Sequence, residues 1–187
     1  MINEAIELIV EKLNDAVSDG VEDFVVAGNI AFAEGSEEGL ALANKIVLSL
    51  VNIDEESTMK NGHYFRKRAD AVEYRNRPVN LNLYLLFSAN FTNNYNDALA
   101  MTSRTIEFFQ RSNTFTLHNT SPEGLDFQLV LDLHTITFEQ VNYLWGSLGG
   151  KQYPFVLYKC RVVSIEAKDP VGSGALIEEI HSKEKMQ

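Results

Sequence analysis

The stretches Lys45-Ile46-Val47-Leu48-Ser49-Leu50-Val51-Asn52-Ile53 and Val79-Asn80-Leu81-Asn82-Leu83-Tyr84-Leu85-Leu86-Phe87 decide the fold class. In an extended chain successive side chains point to opposite faces. In the first stretch Ile46, Leu48 and Leu50 therefore share one face, while Val47, Ser49 and Val51 share the other. A strand apolar on both faces belongs inside a sheet with both faces covered. The second alternates more cleanly, with Val79, Leu81, Leu83, Leu85 and Phe87 opposite Asn80, Asn82, Tyr84, Leu86 and Ser88.

Further strands read from Phe24 to Phe32, with Gly28 a bulge or close-approach point, and at Thr114–His118, Leu125–Leu133 and Phe155–Ile165. Helical periodicity marks three segments. Ile2, Ile6, Ile9, Leu13 and Val17 form one stripe, with Glu4, Glu7 and Glu11 mostly off it. Asn93 or Asn94 caps a second helix over Tyr95–Arg111, whose spacing predicts Tyr95, Ala98, Leu99, Thr102, Ile106 and Phe109 as its buried stripe. Thr137 opens a capping box with Gln140, and that short helix carries Phe138, Val141, Leu144 and Trp145 before Gly149-Gly150. Helices mixed irregularly with strands predict a single α+β domain, a mixed β-sheet with helices packed on it. The domain is expected over 1–168, with a long basic loop at about 54–78 and a C-terminal tail over 169–187.

The chain has 187 residues and a net charge of −10. That acidity argues against nucleic acid or an anionic membrane as a partner held by bulk electrostatics. The charge is segregated. Residues 1–56 hold 13 acids against Lys12 and Lys45, a net −11, whereas residues 57–77 hold six bases against Asp70 and Glu73, a net +4. Such separation orients one protein surface against another. The single cysteine, Cys160, excludes an internal disulfide. The first residues lack a basic signal region, and no apolar run approaches the roughly 18 residues of a membrane span. A soluble cytosolic product without membrane insertion is the expectation.

Motifs for chemistry are absent or incomplete. Gly149-Gly150-Lys151 follows a helix instead of preceding one and lacks the first glycine of a phosphate loop, so it reads as a helix C-cap. Gly172-Ser173-Gly174 lacks the elements of a dinucleotide fingerprint and reads as a flexible joint. Asp132 and His134 share a strand face and read as half of an acid–base or metal site whose third ligand is missing nearby, since Glu139 lies on the following helix and His118 on a separate strand. A solvent-facing polar strand explains the first two equally, and Cys160 reads as a core hydrophobe. No catalytic residue, metal ligand or cofactor site is assigned. The basic insert, with Arg66, Lys67, Arg68, Arg75 and Arg77 near Tyr64, Phe65 and Tyr74, fits a solvated loop, a protein-docking loop or, against the acidic background, a nucleic-acid contact. Leu176, Ile177 and Ile180 in the tail suit packing on their own domain or addition to a neighbour as a strand.

Several segments together resemble one family. They are Leu48-Ser49-Leu50-Val51-Asn52-Ile53-Asp54-Glu55-Glu56, the Arg75-Asn76-Arg77-Pro78 step, Leu81 to Ala89, Tyr95 to Gln110, and Tyr143-Leu144-Trp145-Gly146-Ser147-Leu148-Gly149-Gly150-Lys151 with Tyr153-Pro154. The family is that of the cap, or tail-terminator, proteins of phage-tail-like contractile injection systems of the antifeeding-prophage and Photorhabdus virulence cassette type. The resemblance implies a non-enzymatic structural cap, a homohexameric ring bound to sheath and inner-tube proteins. Such a cap ends tube and sheath polymerisation and links sheath to tube at the end distal to the baseplate. It also implies assembly in the bacterial cytoplasm and residence on a particle open to extracellular release. The alternative is a baseplate or scaffold adaptor of the same kind of particle. Arg66, Lys67, Arg68, Arg75 and Arg77, with Leu176, Ile177 and Ile180, are the expected partner-binding residues.

Overall fold

A computed structural model describes residues 2–17, 23–34, 37–56, 65–67, 71–74, 80–117, 126–165 and 172–175. Six strands form the main sheet: β1 (Val25–Ala27), β2 (Lys45–Glu55), β5 (Leu81–Asn90), β6 (Thr114–Leu117), β7 (Asp126–Leu133) and β8 (Phe155–Ile165). Their spatial order is β1-β2-β5-β8-β7-β6. Only β1 and β2 run parallel; every other neighbouring pair is antiparallel. The mixed sheet and its packed helices match the α+β expectation. A separate three-stranded sheet consists of β3 (Phe65–Lys67), β4 (Ala71–Tyr74) and β9 (Gly172–Ala175), in the order β3-β4-β9.

One face of the main sheet carries the larger core. Helix α1 (Ile2–Val17) buries Ala5, Ile9, Leu13 and Val17 at four-residue spacing, and Ile2 and Ile6 pack at its margin. Helix α3 (Tyr95–Arg111) lies beside it and buries Ala98, Met101, Thr105 and Phe109. Beneath them sit Ile46, Leu48, Leu83, Leu85, Phe87, Phe127, Leu129, Leu131, Tyr158 and Cys160. Phe87, Phe109 and Tyr158 meet with ring centroids 4.7 to 5.8 Å apart, the tilted and edge-on contacts aromatic quadrupoles favour.

Helix α3 spans the predicted residues and is capped by Asn94, whose side chain accepts from Asp97 N. Its buried stripe differs. Tyr95 is 65% and Leu99 44% exposed, and Met101 and Thr105 take the inward positions. The helix offers apolar side chains on two faces, so periodicity alone leaves its rotation ambiguous; packing against Phe87 and α1 resolves it.

The opposite face holds a smaller core of Ile30, Leu42, Val47, Leu86, Trp145, Tyr153 and Leu157. It is covered by α4 (Phe138–Ser147), by a 3-10 turn at Ile30–Phe32 and by Leu42, which follows the short helix α2 (Glu37–Ala41). The long strand expected over Phe24–Phe32 is thus cut to three residues. The reason is Ser49, whose Oγ donates to Gly28 O at 2.7 Å and accepts from Ile30 N at 3.0 Å. That bridge peels the chain off the ladder after Gly28 N donates to Leu48 O. Gly28 is a close-approach point, since a Cβ there would stand 2.8 Å from Leu42 Cδ2.

The outer side of β1 is closed by a side chain that imitates a strand. Asn14 Nδ2 donates to Val25 O, and its Oδ1 accepts from Val25 N, both at 2.8 Å. Asn14→Ala leaves a buried N–H and C=O without partners, and we expect a loss of roughly 1–3 kcal/mol. Urea denaturation followed by circular dichroism checks this; an unchanged midpoint would refute the bridging role.

Candidate assembly interface

The second face of the sheet becomes polar toward the ends of β2 and β5, and a register shift puts it there. Ile46, Leu48 and Leu50 pair with Ala89, Phe87 and Leu85, whereas Asn52 pairs with Tyr84 and Asp54 with Asn82. One extra residue is inserted between Leu50 and Asn52, the arrangement of a β-bulge. Without it, Asn52 and Asp54 would continue on the α1/α3 face with Leu48 and Leu50. With it, they join Asn82 and Tyr84 on the other.

Asn82, only 3% exposed, donates from Nδ2 to Asp54 Oδ1 at 2.8 Å and to Glu56 Oε2 at 3.0 Å. Tyr84 donates its hydroxyl to Asp54 Oδ2 at 2.9 Å. That hydrogen bond, followed by burial and the charges of Asp54 and Glu56, pushes the Tyr84 phenol above its ordinary pKa. Lys159 Nζ lies 3.4 Å from Glu56 Oε2. The two acids are thus held by neutral donors and one ammonium, which makes them a fixed polar platform.

The remaining sequence candidates have structural partners. Asp132 accepts from Arg161 at 2.9 Å, and its register partner is Lys159. The His134 ring packs edge-on against Tyr84 at 5.1 Å, and its backbone N donates to Leu157 O. Glu139 accepts from the Tyr143 hydroxyl on α4. Among the described residues no group of three or more His, Cys, Asp or Glu is placed to hold a metal. Lys151 is ion-paired to Glu34 and lies 5.6 Å from the Tyr153 ring. Gly149 and Gly150 take positive φ, and Gly150 N donates to Trp145 O at 2.7 Å, so this segment is the C-cap its sequence suggests. Cys160 is fully buried, and burial, helped by the charge of Asp132, pushes its thiol up to about 12.

Of the expected partner-binding residues, Arg66 and Lys67 lie on β3, opposite Glu73 and Val72 of β4. Arg68, Arg75, Arg77, Leu176, Ile177 and Ile180 lie outside the described residues. The segment expected as a basic loop contains two strands of the small sheet, and the expected glycine joint supplies the third. Gly172, Ser173 and Gly174 pair with Tyr74, Glu73 and Val72. A long-range partner decides that pairing, and neither segment's own sequence signals it.

The surface also exposes apolar groups that the sequence reading does not single out as exposed. Phe138 and Tyr143 on α4 are 94% and 67% exposed, and Leu40 on α2 is 79% exposed. The sequence signal is weak, because Phe138 and Trp145 fit one helical pattern although only Trp145 turns inward. The described surface thus combines a polar platform with exposed aromatic groups.

The chain belongs to the Pvc16 N-terminal domain family, whose model matches residues 4–179. Two solved structures are similar. One is the PVC sheath/tube terminator of an extracellular contractile injection system in its extended state, with TM-score 0.59, 12% identity, and coverage of 100% of this chain and 62% of that one. The other is the anti-feeding prophage cap, described as a tube terminating cap, with TM-score 0.60, 16% identity, and coverage of 97% of this chain and 60% of that one. The chain therefore spans about three fifths of the length of these structures. A search of the curated proteins returns no match.

Cys160 provides a direct check of the closed core. A thiol whose pKa rises on folding stabilises the fold fully below its unfolded value of roughly 8.5, and the contribution is lost as pH rises through the folded value. At pH 8 we expect native Cys160 to react with Ellman's reagent at least ~100-fold more slowly than the urea-unfolded chain. Equal rates would contradict the placement.

Proposed function

We propose that the chain is the cap, or tail terminator, of a phage-tail-like contractile injection system. In this reading it is a non-enzymatic structural protein that forms a homohexameric ring at the end distal to the baseplate. It stops tube and sheath polymerisation there and links sheath to tube. It assembles in the bacterial cytoplasm and remains part of the particle. The division into a domain over 1–168 and a tail over 169–187 belongs to the same proposal.

The observation that carries the reading is the shared fold with two tube-end terminators, which extends over nearly the whole chain. The surface chemistry supports it. An acidic front and a basic insert on one chain are suited to stacking and side-by-side contact, and the titratable groups of the sheet are engaged in structural pairs. Arg66, Lys67, Arg68, Arg75 and Arg77 would meet an acidic surface of the adjacent subunit or of the sheath. Leu176, Ile177 and Ile180 would add apolar contact.

Electron microscopy of particles from a strain lacking this gene tests the reading. Tubes and sheaths of unregulated length, many without a closed end, are expected, with normal length restored by the wild-type gene. Reversing the five basic residues to glutamate is expected to leave at least about half the particles uncapped. Capped particles of normal length without the chain would overturn the function. Normal caps with the reversed variant would overturn only the contact.

A further inference from the structure

Strand β1 lies at one edge of the main sheet, with β2 as its only neighbouring strand among the described residues. Ile46 N donates to Phe24 O, and Gly28 N donates to Leu48 O. Residues that bond to a given neighbour alternate along a strand, so Val25 and Ala27 turn their N–H and C=O to the outer side. Such a row of main-chain groups is a template on which a further strand can add.

Two features oppose that addition. The first is Asn14, which takes both outward groups of Val25: its Nδ2 donates to Val25 O and its Oδ1 accepts from Val25 N, each at 2.8 Å. Only Ala27 is left with outward groups that no described residue bonds, too little to carry a ladder. The second is charge. A groove of about 340 Å³ runs beside Ala27, and its lining includes Glu7, Glu11, Asp15 and Asp23. Glu7, Glu11 and Asp15 recur every four residues of α1 and so share the face beside the strand.

Those carboxylates are only partly offset. Lys12 lies 3.1 Å from Glu11 and 3.7 Å from Asp15, and the neutral Asn3 amide donates to Glu7 at 2.7 Å. Four carboxylates against one ammonium leave this margin at a net −3. The groove itself leaves room for an approaching chain, so charge, and not bulk, opposes entry there.

We propose that Asn14 and the four carboxylates form a double guard that keeps β1 from pairing with β1 of a second copy. Asn14 occupies the main-chain bonds from which strand addition draws its affinity. The carboxylates set like charge against like charge whenever two copies bring the same margins together. Each feature covers the failure of the other, so both must be lost before the edge opens fully. The inference concerns an edge kept out of assembly and does not use the ring reading, which stands or falls separately.

The test separates the two features. One variant carries Asn14→Ala, a second carries Glu7→Gln, Glu11→Gln, Asp15→Asn and Asp23→Asn, and a third carries all five changes. Each, like the reference chain, also carries Ala27→Cys at an exposed position on the margin, while Cys160 is buried. Sedimentation at low and high salt measures association, and a short bismaleimide reports whether position 27 of two copies meet. We expect the third variant to associate at least ~10-fold more tightly than the reference at either salt, the worth of one or two freed hydrogen bonds, and to cross-link at position 27. Asn14→Ala alone should do so only at high salt, where the carboxylates are screened, and the second variant should match the reference. Leu86→Ala, in the smaller core, lowers stability away from the margin and should also match the reference. Circular dichroism confirms that each variant is folded at the temperature used. A third variant that associates no more than the reference, or that associates without the cross-link, would overturn the guard. Equal association by Leu86→Ala would overturn it as well, because instability would then be the cause.

Discussion

The one-residue register shift between Leu50 and Asn52 governs the structure of this chain. Upstream of it β2 needs apolar groups on both faces, because α1 and α3 cover one and α4, Leu42 and the 3-10 turn cover the other. Downstream of it the strand carries Asn52, Asp54 and Glu56, none of which can be placed under α1 without a large desolvation cost. The bulge resolves the conflict by turning the polar set to the second face. There Asn82, Tyr84 and Lys159 neutralise or donate to the carboxylates.

The same strand sets the limits of the sheet. Ser49 draws Gly28 and Ile30 toward itself and so ends β1 after three residues. The shortness of β1 follows from a single hydroxyl on β2. Asn14 seals the neighbouring edge by mimicking a backbone, which is a means of preventing unwanted strand pairing.

Much of the local structure was legible in the sequence. The Tyr95–Arg111 helix with an asparagine cap at 93 or 94, the Thr137–Gln140 capping box and the Phe155–Ile165 strand depend on hydrogen bonds and periodicities within a few residues of one another. The small sheet was not legible in the same way. β4 and β9 are about a hundred residues apart, and Gly172-Ser173-Gly174 has the composition of a joint, so only its distant partner makes it a strand. The rotation of α3 was ambiguous for a related reason, since Tyr95 and Leu99 are as apolar as the residues that turn inward.

By itself, the sequence determined the α+β class, the helix ends, the double-faced apolar character of β2 and the separation of −11 from +4 along the chain. It also excluded a disulfide within the chain. Tertiary structure alone decided which side of the sheet receives Asp54 and Glu56, where β1 ends, and which edges are sealed. The physical reason is that these choices are settled between residues far apart in the chain. Burial and hydrogen-bond satisfaction act on the assembled sheet, and a one-residue slip in register reverses every side chain that follows it.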